Sequence, residues 1–217
     1  EGGDCGITIT ANGVDYTYDY DPGDVWKTNN YTALTTTSLW TAPTTADPFA
    51  AFKTVKDAIR SKTGDELTIA IMNTYTFNLM AATNAVKNRY LTTNGLSLGY
   101  LTDAEVKAIV EATSGLRIAI YDKQYKDESG TAHSFVPDGY VCLIPAGNLG
   151  NTWYGTTPEE ADLQGSDSAE VSIVNTGVAI TRTIQDHPVN INTFASEIVL
   201  PSFERMDSVG VLKVVGE

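Results

Sequence analysis

Residues 47–64, Asp-Pro-Phe-Ala-Ala-Phe-Lys-Thr-Val-Lys-Asp-Ala-Ile-Arg-Ser-Lys-Thr-Gly, constrain the fold more than any other stretch of this chain. Asp47 stands where a side chain accepts from the first free amides of a helix, and Pro48 falls at the first helical position, where a missing N–H costs nothing. Gly64 then marks the exit. Together these signals predict a helix over 48–63. Phe49, Phe52, Val55 and Ile59, helped by Ala51 and Ala58, recur at helical spacing and form one apolar stripe, while Lys53, Lys56, Arg60 and Lys62 fall largely outside it. The element is therefore expected to pack on a sheet and carry a cationic outer edge. Four of the chain's 14 cations lie within these ten residues. Cations complement the negative C-terminal end of a helix dipole, and the alternative reading is a basic ridge that meets an acidic neighbour.

Charge balance excludes whole classes of partner. With 27 acids against 14 cations and a net charge of −13, the chain is repelled by nucleic acid unless a local basic patch overrides the field. Its 217 residues suffice for one large domain or two modest ones. No apolar run approaches the length that crosses a bilayer and the N-terminus lacks the regions of a signal peptide, so no membrane partner is expected. Cys5 and Cys142 offer neither a disulfide framework nor metal-ligand spacing, and Cys142, in an apolar run, reads as a small core residue. Because the chain begins at Glu1 rather than Met, it is expected to be a piece of something longer.

Residues 1–46 are rich in Thr, Asn, Tyr, Asp and Gly, with strand-like alternation in Ile7-Thr-Ile-Thr10, a turn at Asn12-Gly13 and a second strand pattern over Val14–Tyr20. A hairpin or arm poor in core is expected there. Asp15, Asp19, Asp21 and Asp24 suggest a calcium loop, but the spacing lacks the sixth-position glycine and the closing glutamate, so the expectation is a solvated acidic arm with no metal and no other cofactor. The sequon Asn30-Tyr-Thr32 reads as a chance match.

After Gly64, Leu67–Met72 reads as a buried strand, and Asn73 caps a second helix running to about Leu91 with Phe77, Met80, Ala81 and Val86 in the core. Thr102 and Glu105 form a capping box for a third helix over 103–113, closed by Gly115. From Leu116 the pattern predicts a hairpin: a strand over 116–122, a polar tip over 126–130, then His133–Val136, a turn at 137–139 and a strand over 140–145. The following loop, with Trp153 and Tyr154, is too aromatic for a linker and reads either as rings covering a sheet end or as an exposed contact patch.

Gly95-Leu-Ser97-Leu-Gly99 matches the nucleophile elbow of esterases, in which a strained strand-to-helix turn lifts a serine hydroxyl above a sheet. Ser97, an acid such as Asp122 or Asp138, and His187 make up the nucleophilic reading. The element before the motif reads as a helix, which argues for a plain loop. A small serine esterase is therefore one alternative function; a β-rich surface or adhesion module, suggested by the Thr, Asn and Tyr content, is another.

From Gly115 to Glu160 a series of patterns follows in order: Gly-Leu-Arg-Ile-Ala-Ile-Tyr-Asp, Tyr-x-Asp-x-x-Gly-Thr, Phe-Val-Pro-Asp-Gly-x-Val and Gly-x-x-Trp-Tyr-Gly-Thr-Thr-Pro-Glu-Glu. This run resembles the capsid protein E family, the lambda-type major head proteins of tailed phages. Trp40 through Asp47-Pro48, and Ile198–Glu204 followed by Val209–Val215, resemble the flanking regions of that family, so the likeness extends over residues 14–217.

The resemblance implies the α+β tailed-phage capsid fold of Hong Kong 97 type, in which an extended loop and an N-terminal arm flank a peripheral domain, made of a spine helix and long strands, and an axial domain gathers at the capsomer centre. Mapped onto this chain, it implies that residues 1–46 are the returning half of the extended loop and the strand leading in, 47–64 the spine helix, 65–189 the axial domain and 190–217 the return strands of the peripheral domain. The arm and the outgoing half of the loop have no counterpart in the sequence. The implied function is structural, without catalysis: self-assembly into pentameric and hexameric capsomers of an icosahedral shell, in the bacterial host cytoplasm, to become part of the virion. Partners would be other copies of the chain, a scaffolding or decoration protein, and packaged DNA as non-specific cargo. The expected contacts pair Lys53, Lys56 and Arg60 with Asp15, Asp19 and Asp24 of an adjacent subunit, and place Trp153 and Tyr154 in an axial loop near the capsomer centre.

Overall fold

The computed structural model describes residues 6–11, 14–94, 101–127, 129–157, 161, 170–175, 178–187 and 189–216. The N-terminal stretch forms the expected hairpin, with β1 (Gly6–Ala11) antiparallel to β2 (Val14–Asp19) in unbroken register. A short helix α1 (Val25–Asn30) follows, then β3 (Tyr31–Ala33). Asn30, the sequon residue, is buried, and its side-chain amide donates to the carbonyls of Asp207 and Val209 at 2.8 and 3.0 Å. That amide is a structural donor.

Helix α2 (Pro48–Thr63) has the bounds that its punctuation predicts. Asp47 accepts from the amides of Phe49 and Ala50 at 3.0 and 3.2 Å, and Gly64 leaves the helix at φ 77, where a side chain would be strained. Phe52, Val55 and Ile59 are buried, and Trp40 meets Phe52 edge-on with ring centres 5.7 Å apart. Next come β4 (Leu67–Met72), α3 (Thr74–Ala82), α4 (Asn84–Asn94), α5 (Asp103–Ser114), β5 (Arg117–Ile120), β6 (Gln124–Lys126), β7 (Ala132–Ser134) and β8 (Tyr140–Pro145). The last strand is β13 (Gly210–Lys213), which with β3, β4, β5 and β8 makes a five-stranded mixed sheet ordered β3-β13-β8-β4-β5. Helix α2 lays its apolar stripe against β4 and β13.

Two sequence expectations need correction. The single helix from Asn73 to about Leu91 is broken at Thr83, whose ψ of 144 is extended. In a continuous helix the Asn84 amide would donate to Met80; instead it donates to Pro43 at 2.8 Å, and the Met80 carbonyl is taken by the amide and hydroxyl of Thr83. The hairpin expected over 116–145 shrinks to β6 and β7 alone. Strands β5 and β8 do not pair with each other, because β4 lies between them, parallel to β5 and antiparallel to β8. The capping box of α5 is present, and Gly115 closes it at φ 69.

The contacts divide the chain into two units, one of residues 1–147 with 205–217 and one of residues 148–204. These limits do not coincide with the boundary at 189/190 expected from the sequence. The second unit is a four-stranded antiparallel sheet ordered β10-β11-β12-β9, built from β9 (Thr152–Gly155), β10 (Glu170–Asn175), β11 (Val178–Asp186) and the 13-residue β12 (Val189–Pro201).

Helix α2 approaches β13 closely at Gly210, where an added Cβ would stand 2.6 Å from Val55 Cγ1. Replacing Gly210 with Ala should cost about 1–3 kcal/mol through overpacking, and Phe52→Ala about 3–5 kcal/mol through cavity formation. Urea unfolding should rank Phe52→Ala, Gly210→Ala and wild type in rising order of stability; a wild-type midpoint for Phe52→Ala would show that α2 does not carry the core.

Candidate functional site

The cationic ridge lies along the solvent side of α2, but its members are not equivalent. Lys53 is exposed. Lys56, with only 11% of its side chain exposed, donates to the Ser114 carbonyl at the end of α5 at 2.7 Å and pairs with Glu66 at 2.9 Å. Arg60 places its guanidinium fork on the same carboxylate, with Nε and Nη2 each 3.0 Å from a Glu66 oxygen, and stands 3.8 Å from Asp57. Lys62 Nζ donates to the Asn29 carbonyl at 2.8 Å. One acid just beyond the helix exit thus gathers two of the three cations that sequence reasoning assigned to a neighbour.

Beside the ridge, α2, α4 and α5 enclose a cleft of about 430 Å3 lined by Asp47, Phe49, Lys53, Arg89 and Thr113, among others. The Arg89 guanidinium lies 5.7 Å from the centre of the Phe49 ring, within cation–π range. The cleft lining thus sets Lys53, Lys56, Arg60 and Arg89 against Asp47 and Asp57, with the Phe49 ring among them.

The acidic arm is similarly divided. Asp15 is exposed on β2. Asp19 accepts from the Asp21 amide at 2.9 Å, and Asp24 pairs loosely with Lys27 at 3.7 Å. Asp21 is buried and accepts from the amides of Trp26 and Lys27, so it caps α1 from three residues ahead of Asp24, the N-cap residue, whose own side chain makes no capping bond. Burial pushes its carboxyl up, but the amide bonds bring it below the ordinary Asp range. Among the described residues, no three acids, histidines or cysteines stand close enough to hold a metal ion.

Trp153 and Tyr154 are exposed and lie on a strand rather than in a loop: β9 pairs with β12 through Trp153↔Leu200 and Tyr154↔Val199. The adjacent Asn151 and Ser202 donate to Glu204 and hold its carboxyl below the ordinary range. Of the nucleophilic reading, Ser97 lies outside the described residues. The element before it is the helix α4, where an esterase elbow requires a strand. His187 is exposed beyond β11, and both Asp122 oxygens are taken by the amide and hydroxyl of Thr74.

Sequence reasoning missed the anchor formed by Asp65, Arg205 and Ser208. Arg205 Nη2 lies 2.9 Å from the Asp65 carboxylate, which also accepts from the Ser208 hydroxyl; these bonds hold that carboxyl low. No local signal reveals a pairing across so long a separation. The Glu66 cluster did leave a clue, an acid two residues past the closing glycine.

The comparisons with known proteins bear on the whole of this arrangement. A family model described as Phage major capsid protein E matches residues 5–214. No curated protein matches. Among solved structures, a prophage capsid protein from E. coli CFT073 is similar with a TM-score of 0.67 at 17% identity, over 97% of this chain and 59% of that one. A phage-related protein from Bordetella bronchiseptica RB50 is similar with a TM-score of 0.51 at 12% identity, over 85% of this chain and 55% of that one. The chain thus spans little more than half the length of either.

The Lys56 hydrogen bond, opposed by partial burial and helped by the charges of Lys56 and Arg60, holds the Glu66 carboxyl below its ordinary 4.5. A depressed folded-state value means that the stabilisation is fully present above 4.5 and is lost as the pH falls through the lower value. Wild type should therefore melt above Glu66→Gln at about pH 7, with the gap closing in acid below about pH 4.5. A gap unchanged down to about pH 2 would show that Glu66 does not act through its charge.

Proposed function

The chain belongs to the phage major capsid protein E family and has the tailed-phage capsid fold of Hong Kong 97 type, and from that premise we propose that it is a major head protein that assembles with copies of itself into the capsomers of an icosahedral shell around DNA. The family match over residues 5–214 carries this reading. The role is structural, and the protein ends up in the virion after assembly in the host cytoplasm. A net charge of −13 fits a container that holds DNA without adhering to it, so the genome is non-specific cargo. Scaffolding or decoration proteins are further partners of this reading. No helix among the described residues is long and apolar enough to cross a membrane.

Within the shell, α2 serves as the spine helix and the β1–β2 hairpin belongs to the extended loop. The five-stranded sheet with α3, α4 and α5 forms the axial domain, and the long strands β11 and β12 belong to the peripheral domain. This assignment differs from the cut at 189/190 that the resemblance implied; in its support, Val189–Glu197 of β12 pair with β11 and Ile198–Pro201 with β9, while β13 joins β3 and β8. Trp153 and Tyr154, on β9, then belong with the long strands.

The arm of one subunit meets the spine of the next. Lys56 and Arg60 take part as a shape held by Glu66, whereas Lys53, on the rim of the cleft, is the cation that contacts the exposed Asp15 or its neighbours Asp19 and Asp24. Each such exposed pair contributes roughly 0–1 kcal/mol, so only repetition around a symmetric assembly makes it count.

Electron microscopy with light scattering of the full-length protein tests the reading. Closed shells, or rings of capsomer size, are the expected result; a monomer at every concentration and with every phage partner supplied would overturn it. Lys53→Glu should lower the assembled fraction and Asp15→Lys should restore it, since reversing both partners returns the attraction. Unchanged assembly in Lys53→Glu would remove the arm–spine pairing while leaving the shell itself in place.

A further inference from the structure

The hairpin of β11 and β12 has two unlike faces near its tip. Residues two apart on a strand share a face, and register partners across an antiparallel pair share it too. Gln185↔Asn190 and Thr183↔Asn192 therefore lie together on one side, where Asn190 donates to Asn192 at 3.1 Å. The other carries Ile184 opposite Ile191, with Val189, the register partner of Asp186, two residues before Ile191 and the pair Arg182↔Thr193 on the far side of Ile184; Ile184, Ile191 and Val189 are 67%, 49% and 83% exposed.

An antiparallel sheet with one polar and one apolar face normally has the apolar face packed. Here Thr183 and Asn192 on the polar side are half-buried, whereas the three aliphatic side chains stand open. We propose that the Ile184, Val189 and Ile191 face of this hairpin tip is a docking surface for a second copy of the chain in the assembled shell. The proposal rests on the shell reading above. Size argues for this occupant: three side chains of this kind offer roughly 200 Å2 of apolar surface, whereas a stable two-body interface needs roughly 800 Å2 per partner. The patch is too small to hold a lone dimer and suits one of the several contacts that each subunit of a closed assembly makes at once.

The test uses the full-length protein with Val189→p-benzoylphenylalanine, irradiated after particles are collected by sedimentation, with crosslinked peptides identified by mass spectrometry. Crosslinks from position 189 to another copy of the chain are expected. Ile184→Thr combined with Ile191→Thr keeps strand preference while removing the apolar face, and should lower particle yield about tenfold or more. Asn192→Thr, on the polar side, should leave the yield within about twofold.

Particles that carry no crosslink between copies from position 189, or that crosslink there only to a different protein, would overturn the proposal and leave the shell reading intact. A double variant that melts like wild type and assembles at wild-type yield would overturn it as well. If the double variant does not fold, the crosslinking result decides alone. Absence of particles from the unsubstituted protein would instead strike the shell reading, and this proposal with it.

Discussion

Contact between the apolar stripe of α2 and the strands beneath it is the interaction on which the first unit depends. Phe52, Val55 and Ile59 are buried at that seam, Trp40 closes over Phe52, and Gly210 lets β13 come close enough for Val55 to fill the space that a side chain would occupy. Burial of such side chains is worth about 1.5–3 kcal/mol each, more than any surface charge pair on the same helix. The seam therefore fixes where α2 lies, and the charged groups on its far side inherit their positions from it.

Two consecutive acids show how that inheritance works. The chain leaves α2 at Gly64, and Asp65 and Glu66 then reach in different directions. Asp65 holds Arg205 and Ser208, which lead into β13, while Glu66 gathers Lys56 and Arg60 on the helix itself. The left-handed exit places both carboxylates, so a helix cap, a strand anchor and the ordering of the basic ridge come from one short turn. Lys53, three residues before Lys56 on the same helix, lies beyond the reach of this turn and remains exposed.

Legibility from sequence followed the range of the determining interaction. The bounds of α2 and α5 were readable because their caps are made by residues within three or four positions, and Asp47, Gly64, Thr102 and Gly115 all act as read. The break at Thr83 was not, because it depends on the Pro43 carbonyl, distant in the chain. The pairing of β5 with β8 was misread because adjacency in sequence favours a hairpin, although the apolar run of β4 already suggested a strand flanked on both sides. For the candidate interface, the charged residues could be found by eye. Their division into internally held and outward-facing groups required the position of Glu66.

The two units differ in what they bury. The first holds an aromatic and aliphatic core around α2, α3 and α5, whereas the described buried residues of 148–204 are Ala179, Thr157 and Thr181, small side chains that cannot supply much driving force. Most of the large apolar side chains exposed among the described residues belong to this second unit. A sheet reaches independent stability with three or more strands and a hydrophobic face, or with a helix packed on it. Its backbone ladder runs unbroken from Val178↔Glu197 to Asp186↔Val189, so these strands are specified by hydrogen bonds more than by buried apolar area. By mass action, whatever covers such exposed faces stabilises the sheet, and the sheet in its ordered form binds its cover more tightly.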